Sequence, residues 1–173
     1  MSLFQDWDAN WDNPKGRIIM VLFRLASALK HGSRLWLPLT VIYGTFYRVI
    51  VEWFLGVELP WKTRVGSGLR LDHGQGLVVN DQTVIGKNCH LRHATTIGNK
   101  LKPDGSYSGS PVIGDSVDIG AHVVVLGELK IGDRAVIGAG SVVTKDVPAG
   151  ATVVGVPARV LKVGDSAAPA SGS

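Results

Sequence analysis

A period of six dominates this chain. Ile113, Ile119, Val125, Ile131, Ile137 and Val143 recur at steps of six without a miss. Glycine follows four of them, at Gly114, Gly120, Gly132 and Gly138. Small or aliphatic residues recur four places after each, at Val117, Val123, Leu129, Ala135, Ser141 and Val147. Helices repeat at 3.6 residues and strands at two, so neither explains a strict six. A solenoid does. Each hexad is a short strand and a corner, and three hexads make one triangular coil. Each coil covers only its neighbours, so the architecture is a stack.

Two upstream blocks extend the pattern. Val65, Leu71 and Leu77 form one; Val79, Ile85, Leu91 and Ile97 form another, shifted by two residues. Between Ile97 and Ile113 lies a stretch rich in Gly, Ser, Lys and Asp with Pro103 inside it. This reads as a loop of about 99–111 extruded from the coils, and long loops on a rigid stack are more often functional than idle. Residues 1–56 read as a helical N-terminal region, 57–163 as the solenoid and 164–173 as a disordered tail of Ala, Ser, Gly and Pro.

The helical region is expected over 14–30 and 36–55. In the first helix Ile18, Val21, Leu22, Leu25 and Leu29 have helical spacing, with Arg24 and Lys30 outside that set. The second is apolar around most of its circumference. It holds Pro38 and Gly44 and is too short and interrupted to span a bilayer. It reads first as a surface buried against another subunit or the first coil. The second reading is shallow contact with a membrane face.

The net charge of +4 comes from scattered Lys and Arg with no basic run, so nucleic acid is not an expected partner. No basic start followed by an apolar stretch precedes Asp12, so no signal peptide is expected. The single Cys89 fits a reducing, cytoplasmic setting and takes the small-residue slot of its hexad, where a packed thiol is expected.

Chemistry concentrates on histidine. His31 falls in the connection between the helices, where a surface role is the default. His73 and His93 each occupy the third position of a hexad, in Leu71-Asp72-His73-Gly74 and Leu91-Arg92-His93. Their separation of 20 residues is one 18-residue coil plus the two-residue shift. The two imidazoles should therefore neighbour each other on one edge, in coils about 4.8 Å apart. His90 and His93 are three apart, which sends side chains of an extended strand to opposite faces, so no metal is expected. Ala121 and Ala139 are 18 apart, each within an Ile-Gly-Ala tripeptide. They would leave backbone amides approachable by a long, thin ligand, unless Gly serves only the tight corner.

Four stretches carry a resemblance: Leu71-Asp72-His73-Gly74-x-Gly76, Thr95-Thr96-Ile97-Gly98, Ile137 to Val143, and Val154-Gly155-Val156-Pro157-Ala158-Arg159. With them the chain resembles the left-handed parallel β-helix acyltransferases that use acetyl-CoA. The segment from Val57 to Lys162 is similar to serine acetyltransferases. A Gly-x-Glu approach to the coils and Arg92 to Asn99 bring it closer to the short polysaccharide O-acetyltransferases, such as the colanic acid enzyme.

The resemblance implies acetyl transfer from acetyl-CoA to a hydroxyl at sites between the subunits of a homotrimer. It places the catalytic base on His73 and its acidic partner on Glu58, 15 residues upstream. Asp72 matches a residue lining the acceptor pocket, and His93 joins it as a second candidate there. Asn99, Ala121 and Ala139 match positions along the pantetheine arm of CoA, with Lys145 and Arg159 suited to its phosphates. Two departures weigh against serine as acceptor. Ser110 stands where serine acetyltransferases carry a His before the loop-closing Pro, and about 55 residues precede the coils. The expected acceptor is thus a bacterial polysaccharide sugar or its precursor, made at the inner membrane face. Serine, and a non-catalytic trimeric scaffold, are the alternatives.

Overall fold

The computed structural model describes residues 2–30 and 37–163. His31, for which a surface role is expected, and the segment 164–173, expected to be disordered, lie outside the described residues.

Five coils stack into a left-handed parallel β-helix. The first holds β1 (Val57–Glu58), β2 (Arg64–Val65) and β3 (Arg70–Asp72). The second holds β4 (Leu77–Val79), β5 (Val84–Ile85) and β6 (His90–Arg92). The third holds β7 (Thr96–Gly98), β8 (Val112–Ile113) and β9 (Asp118–Ile119). The fourth holds β10 (Val124–Leu126), β11 (Lys130–Ile131) and β12 (Val136–Ile137). The fifth begins with β13 (Val142–Val143) and ends with β14 (Ala151–Val154), from which β15 (Arg159–Val163) folds back. Equivalent strands make three parallel faces. Face A runs β1-β4-β7-β10-β13, face B β2-β5-β8-β11, and face C β3-β6-β9-β12-β14, with β15 antiparallel at its end.

The six-residue beat is the core. Ile113, Ile119, Val125, Ile131, Ile137 and Val143 are each at most 1% exposed. Their partners Val117, Val123, Leu129, Ala135, Ser141 and Val147 are buried as well. The two-residue shift is absorbed in β4, which turns both Leu77 and Val79 inward. Leu77 pairs in register with Val57 below, and Val79 with Ile97 above.

The open lower edge of face C is covered by the N-terminal segment. Asp6 Oδ1 accepts from the Leu69 amide at 3.0 Å, and Asn10 Oδ1 accepts from the Leu71 amide at 3.0 Å. Asn10 Nδ2 donates to the Leu69 carbonyl at 2.8 Å. These side chains stand in for a missing strand, as a solenoid cap must.

Helix α1 (Pro14–Lys30) packs on this cap, with Ile19, Met20, Phe23 and Ala26 buried. The buried face is rotated from the expected one. Ile18 is exposed, and Arg24, which the spacing puts outside the apolar face, is 1% exposed. The cause is an ion pair. Arg24 Nε and Nη2 meet both oxygens of Asp6 at 2.7 and 3.0 Å, and its other donors reach the carbonyls of Val65 and Gly66. Helix α2 (Leu37–Tyr47) runs on into a π-helical segment, Arg48–Phe54. Tyr47 anchors it to the first coil by donating to the Leu59 carbonyl at 2.7 Å. Val41, Ile42, Phe46, Val49, Trp53 and Phe54 remain exposed in the single chain. No helix among the described residues is long and apolar enough to cross a membrane.

Removing one partner of a buried, hydrogen-bonded ion pair strands the other charge. Arg24→Ala is therefore expected to lower unfolding stability by about 3–5 kcal/mol, read as a fall in the denaturant midpoint.

Candidate active site

Three edges join the faces, and the edge between C and A carries three of the five histidines, His73, His93 and His122. His73 lies at the corner after β3 and His93 at the corner after β6. Their ring centroids are 5.8 Å apart at 73°, so the two expected neighbours meet edge to face. A third ring, His122 at the corner after β9, stands 5.2 Å from His93 at 85°. The spacing in sequence hides His122, because it sits one residue beyond the position equivalent to His93. The corner geometry corrects for this. His73 and His122 adopt left-handed backbone (φ +65° and +58°), whereas at the second coil the left-handed residue is Ala94. The differently turned backbones bring the three side chains into one column.

The His73 ring is exposed, and among the described residues it has no hydrogen bond. Its corner packs beside β1: a Cβ placed on Gly74 would stand 3.4 Å from the Val57 side chain. Glu58 follows Val57 but points into a groove of about 460 Å³ on face A, shared with Val78, Asn80, Thr96, Asn99 and Leu126. No hydrogen bond or ion pair joins Glu58 to His73 among the described residues. Glu58 instead neighbours Glu52. Burial raises the Glu52 carboxyl from its ordinary value, Arg48 opposes this, and the Glu58 charge adds to it.

Asn99 thus shares a groove with Glu58 and not with the alanines. Ala121 and Ala139 line a second groove, about 310 Å³, with Gly120, Gly138, Arg92 and Asp118. The corners press together here. The Gly140 amide donates to the Ala121 carbonyl at 2.9 Å, and a Cβ on Gly120 would fall 2.6 Å from the Ala139 nitrogen. Gly120 is therefore required for close approach of backbones. Lys145 and Arg159 line a third groove, about 260 Å³, at the far end of the stack.

Asp72 is tied up on face C. Its Oδ1 accepts from Arg70 Nε at 2.7 Å, and its Oδ2 faces Arg92 Nε at 3.9 Å. Arg70 also meets Asp12 at 2.8 Å, and Arg92 pairs with Asp118. The charges alternate across three coils. Among the described residues no group of three or more His, Cys, Asp and Glu side chains is arranged to hold a metal ion.

Residues 99–111 leave the third coil between β7 and β8 as a small hairpin, with Leu101 bridged to Tyr107. Ser110 Oγ donates to Asn80 Oδ1 at 2.9 Å, fastening the base of this loop beside the groove that holds Glu58.

Comparison with known proteins identifies this arrangement. Residues 110–145 match the family described as bacterial transferase hexapeptide (six repeats). The Escherichia coli K12 protein named "Putative colanic acid biosynthesis acetyltransferase WcaB" is 39% identical over 129 residues, 74% of this chain and 75% of that one. The chain belongs to the hexapeptide-repeat acetyltransferases. A serine acetyltransferase of Synechococcus elongatus is 41% identical over 106 residues, 61% of this chain. The chain spans only 43% of that relative, and 41% of serine acetyltransferase 4 of Arabidopsis thaliana. Among solved structures, soybean serine acetyltransferase complexed with serine aligns with TM-score 0.76 at 34% identity, over 92% of this chain and 68% of that one. The Neisseria gonorrhoeae serine acetyltransferase aligns at 0.75 and 32%, over 93% and 64%.

In this hexapeptide-repeat chain the lone thiol stands apart from the histidine column. Cys89 is fully buried, and burial raises its thiol from the ordinary value. A thiol so placed is inert. A disulfide reagent is expected to leave the native protein unlabelled over minutes and to label one thiol per chain in denaturant.

Proposed function

We propose that this chain is an acetyl-CoA-dependent O-acetyltransferase with His73 as general base. One observation carries the reading. His73 stands exposed on the edge that joins face C to face A; a groove with Glu58 and Asn99 lies on face A, and a groove floored by Ala121 and Ala139 lies in higher coils, though His73 lines neither. An acceptor in the first groove and a thioester drawn along the second would meet at that edge.

The chemistry needs little more. An alcohol attacks a thioester once a base takes its proton as the new bond forms. Neutral imidazole does this near pH 7 and contributes about 10²- to 10⁴-fold. The acetyl carbon passes from sulfur to oxygen, and the proton held by His73 goes to the departing thiolate. Glu58 is the proposed acidic partner. Catalytic hydrogen bonds commonly tighten only when substrate is bound, and on this reading the Glu58–His73 contact forms then. Ala121 and Ala139 would lie along the pantetheine arm, with Lys145 and Arg159 beside the phosphates, while Asn99 would stand in the acceptor groove with Glu58. The family likeness supports a homotrimer, in which the edge of one subunit faces the groove of the next. The exposed apolar face of α2 and the π-helical segment would then meet either a neighbouring subunit or a membrane surface.

Two acceptors are in play. The comparisons favour L-serine more broadly, since the curated relatives include several serine acetyltransferases and the reported solved structures bear that name. Two residues favour a sugar hydroxyl. Ser110 supplies a neutral group where a cation would meet a carboxylate, and Asp72 is held by Arg70 and Arg92, leaving it less free to meet an ammonium group. The relative named for colanic acid biosynthesis accords with this second reading.

A thiol-release assay with acetyl-CoA separates them. Release on adding L-serine assigns serine; release with oligosaccharide acceptors and none with serine assigns the sugar. His73→Ala is expected to lower either rate by about 10²- to 10⁴-fold, and Glu58→Gln by less. Wild-type protein inert toward both acceptors leaves a scaffold; unchanged transfer in His73→Ala removes the base assignment. Sedimentation equilibrium is expected to give three times the 18.4 kDa chain mass; a stable monomer would count against a site shared between subunits.

A further inference from the structure

Neither the base chemistry nor the grooves account for His122. It is one of three imidazoles in an unbroken column, and the reaction needs only the first. We infer that His122 is a positioning residue: it backs the ring of His93, which in turn holds the ring of His73 in the attitude of a base. This rests on the assignment of His73 above.

A base acts only when its nitrogen is held in reach of the attacking hydroxyl, and small misplacements are costly. The terminal torsion of a histidine ring is broad, so rotamer preference alone does not fix the ring. Among the described residues the His73 ring has no hydrogen bond. Its one ring partner is His93, at 5.8 Å. The attitude of His73 in the free chain therefore depends on where His93 stands.

His93 is itself weakly tethered. Its Nδ1 is buried and has no hydrogen-bond partner. A buried polar atom in that condition favours any rotation that finds it one. The ring is kept in place by being sandwiched, with His73 on one side and His122 at 5.2 Å and 85° on the other. The His122 amide donates to the His93 carbonyl at 3.1 Å, which locks the two corners together. In the next coil the edge continues as Ala139 and Gly140, with no ring, so His122 ends the column. Removing its side chain frees one face of His93, and the slack passes to His73.

The test uses the full chain in its native assembly, with whichever acceptor turns over. His122→Asn is the variant of choice, because Asn tolerates the left-handed backbone at this corner. The expected result is a fall in kcat of about 3- to 10-fold, the scale of one edge-to-face ring contact, with KM for acetyl-CoA and acceptor within about twofold. His122→Phe keeps a ring and is expected to restore most of kcat. In a His73→Ala background, His122→Asn is expected to change nothing further, because the effect acts through His73. Side-chain NMR of His73 and His93 is expected to shift with Asn and much less with Phe. An unchanged kcat, a rise in KM alone, no rescue by Phe, or an equal loss in the His73→Ala background would each overturn the inference. Full activity of His73→Ala alone would instead remove the base assignment beneath it.

Discussion

Everything in this fold depends on one coil lying flat on the next. Each strand from β1 to β13 contributes two or three residues, far too few to form a sheet by itself. What holds is repetition. An inward aliphatic at every sixth position builds a continuous apolar prism, and the amides of one coil bond the carbonyls of its neighbour. Such contacts are local in space, so every coil is stable only between two others. The two ends need separate solutions. At the lower end Asp6 and Asn10 satisfy the backbone of face C with side chains. At the upper end β15 folds back across β14.

The same constraint decides where chemistry can sit. Inward positions are filled, and the flat faces carry only one or two outward residues per short strand. Corners are different. There the backbone turns through left-handed residues and the side chains splay outward, coil above coil. A residue type placed at one corner therefore has neighbours about 4.8 Å above and below. Along the C–A edge this register yields rings in the first three coils and bare backbone in the fourth. The edge changes from a chemical surface into a trough without any change of fold. On the proposed function, the base and the track for the acetyl donor would differ only in the side chains along one straight line.

Much of this was legible in the residues. The period of six gave the prism, and the shift between Leu77 and Val79 gave one coil two residues longer than the 18-residue repeat. The shared hexad position of His73 and His93 gave their contact. Other features were not legible, for physical reasons. Arg24 reads as a surface residue on a helical wheel, since nothing local announces that Asp6 will fold back to meet it. His122 is displaced by one residue from the hexad position of His93, and only the turned backbone of the corner restores the alignment. Asp72 is put by the resemblance in the acceptor pocket beside His73. Its partners Arg70 and Arg92 become visible only when β3 and β6 are laid in register. Separations along the chain report position on a coil; they do not report which way a corner points.

The central claim is that acyl transfer takes place on the C–A edge. A crystal structure with CoA bound tests it most directly. The account predicts the pantetheine arm along Ala121 and Ala139, with the sulfur placed so that a bound hydroxyl would lie within about 3–3.5 Å of both the acetyl carbon and a His73 nitrogen. CoA seated on another edge, or with its sulfur far from His73, would contradict it.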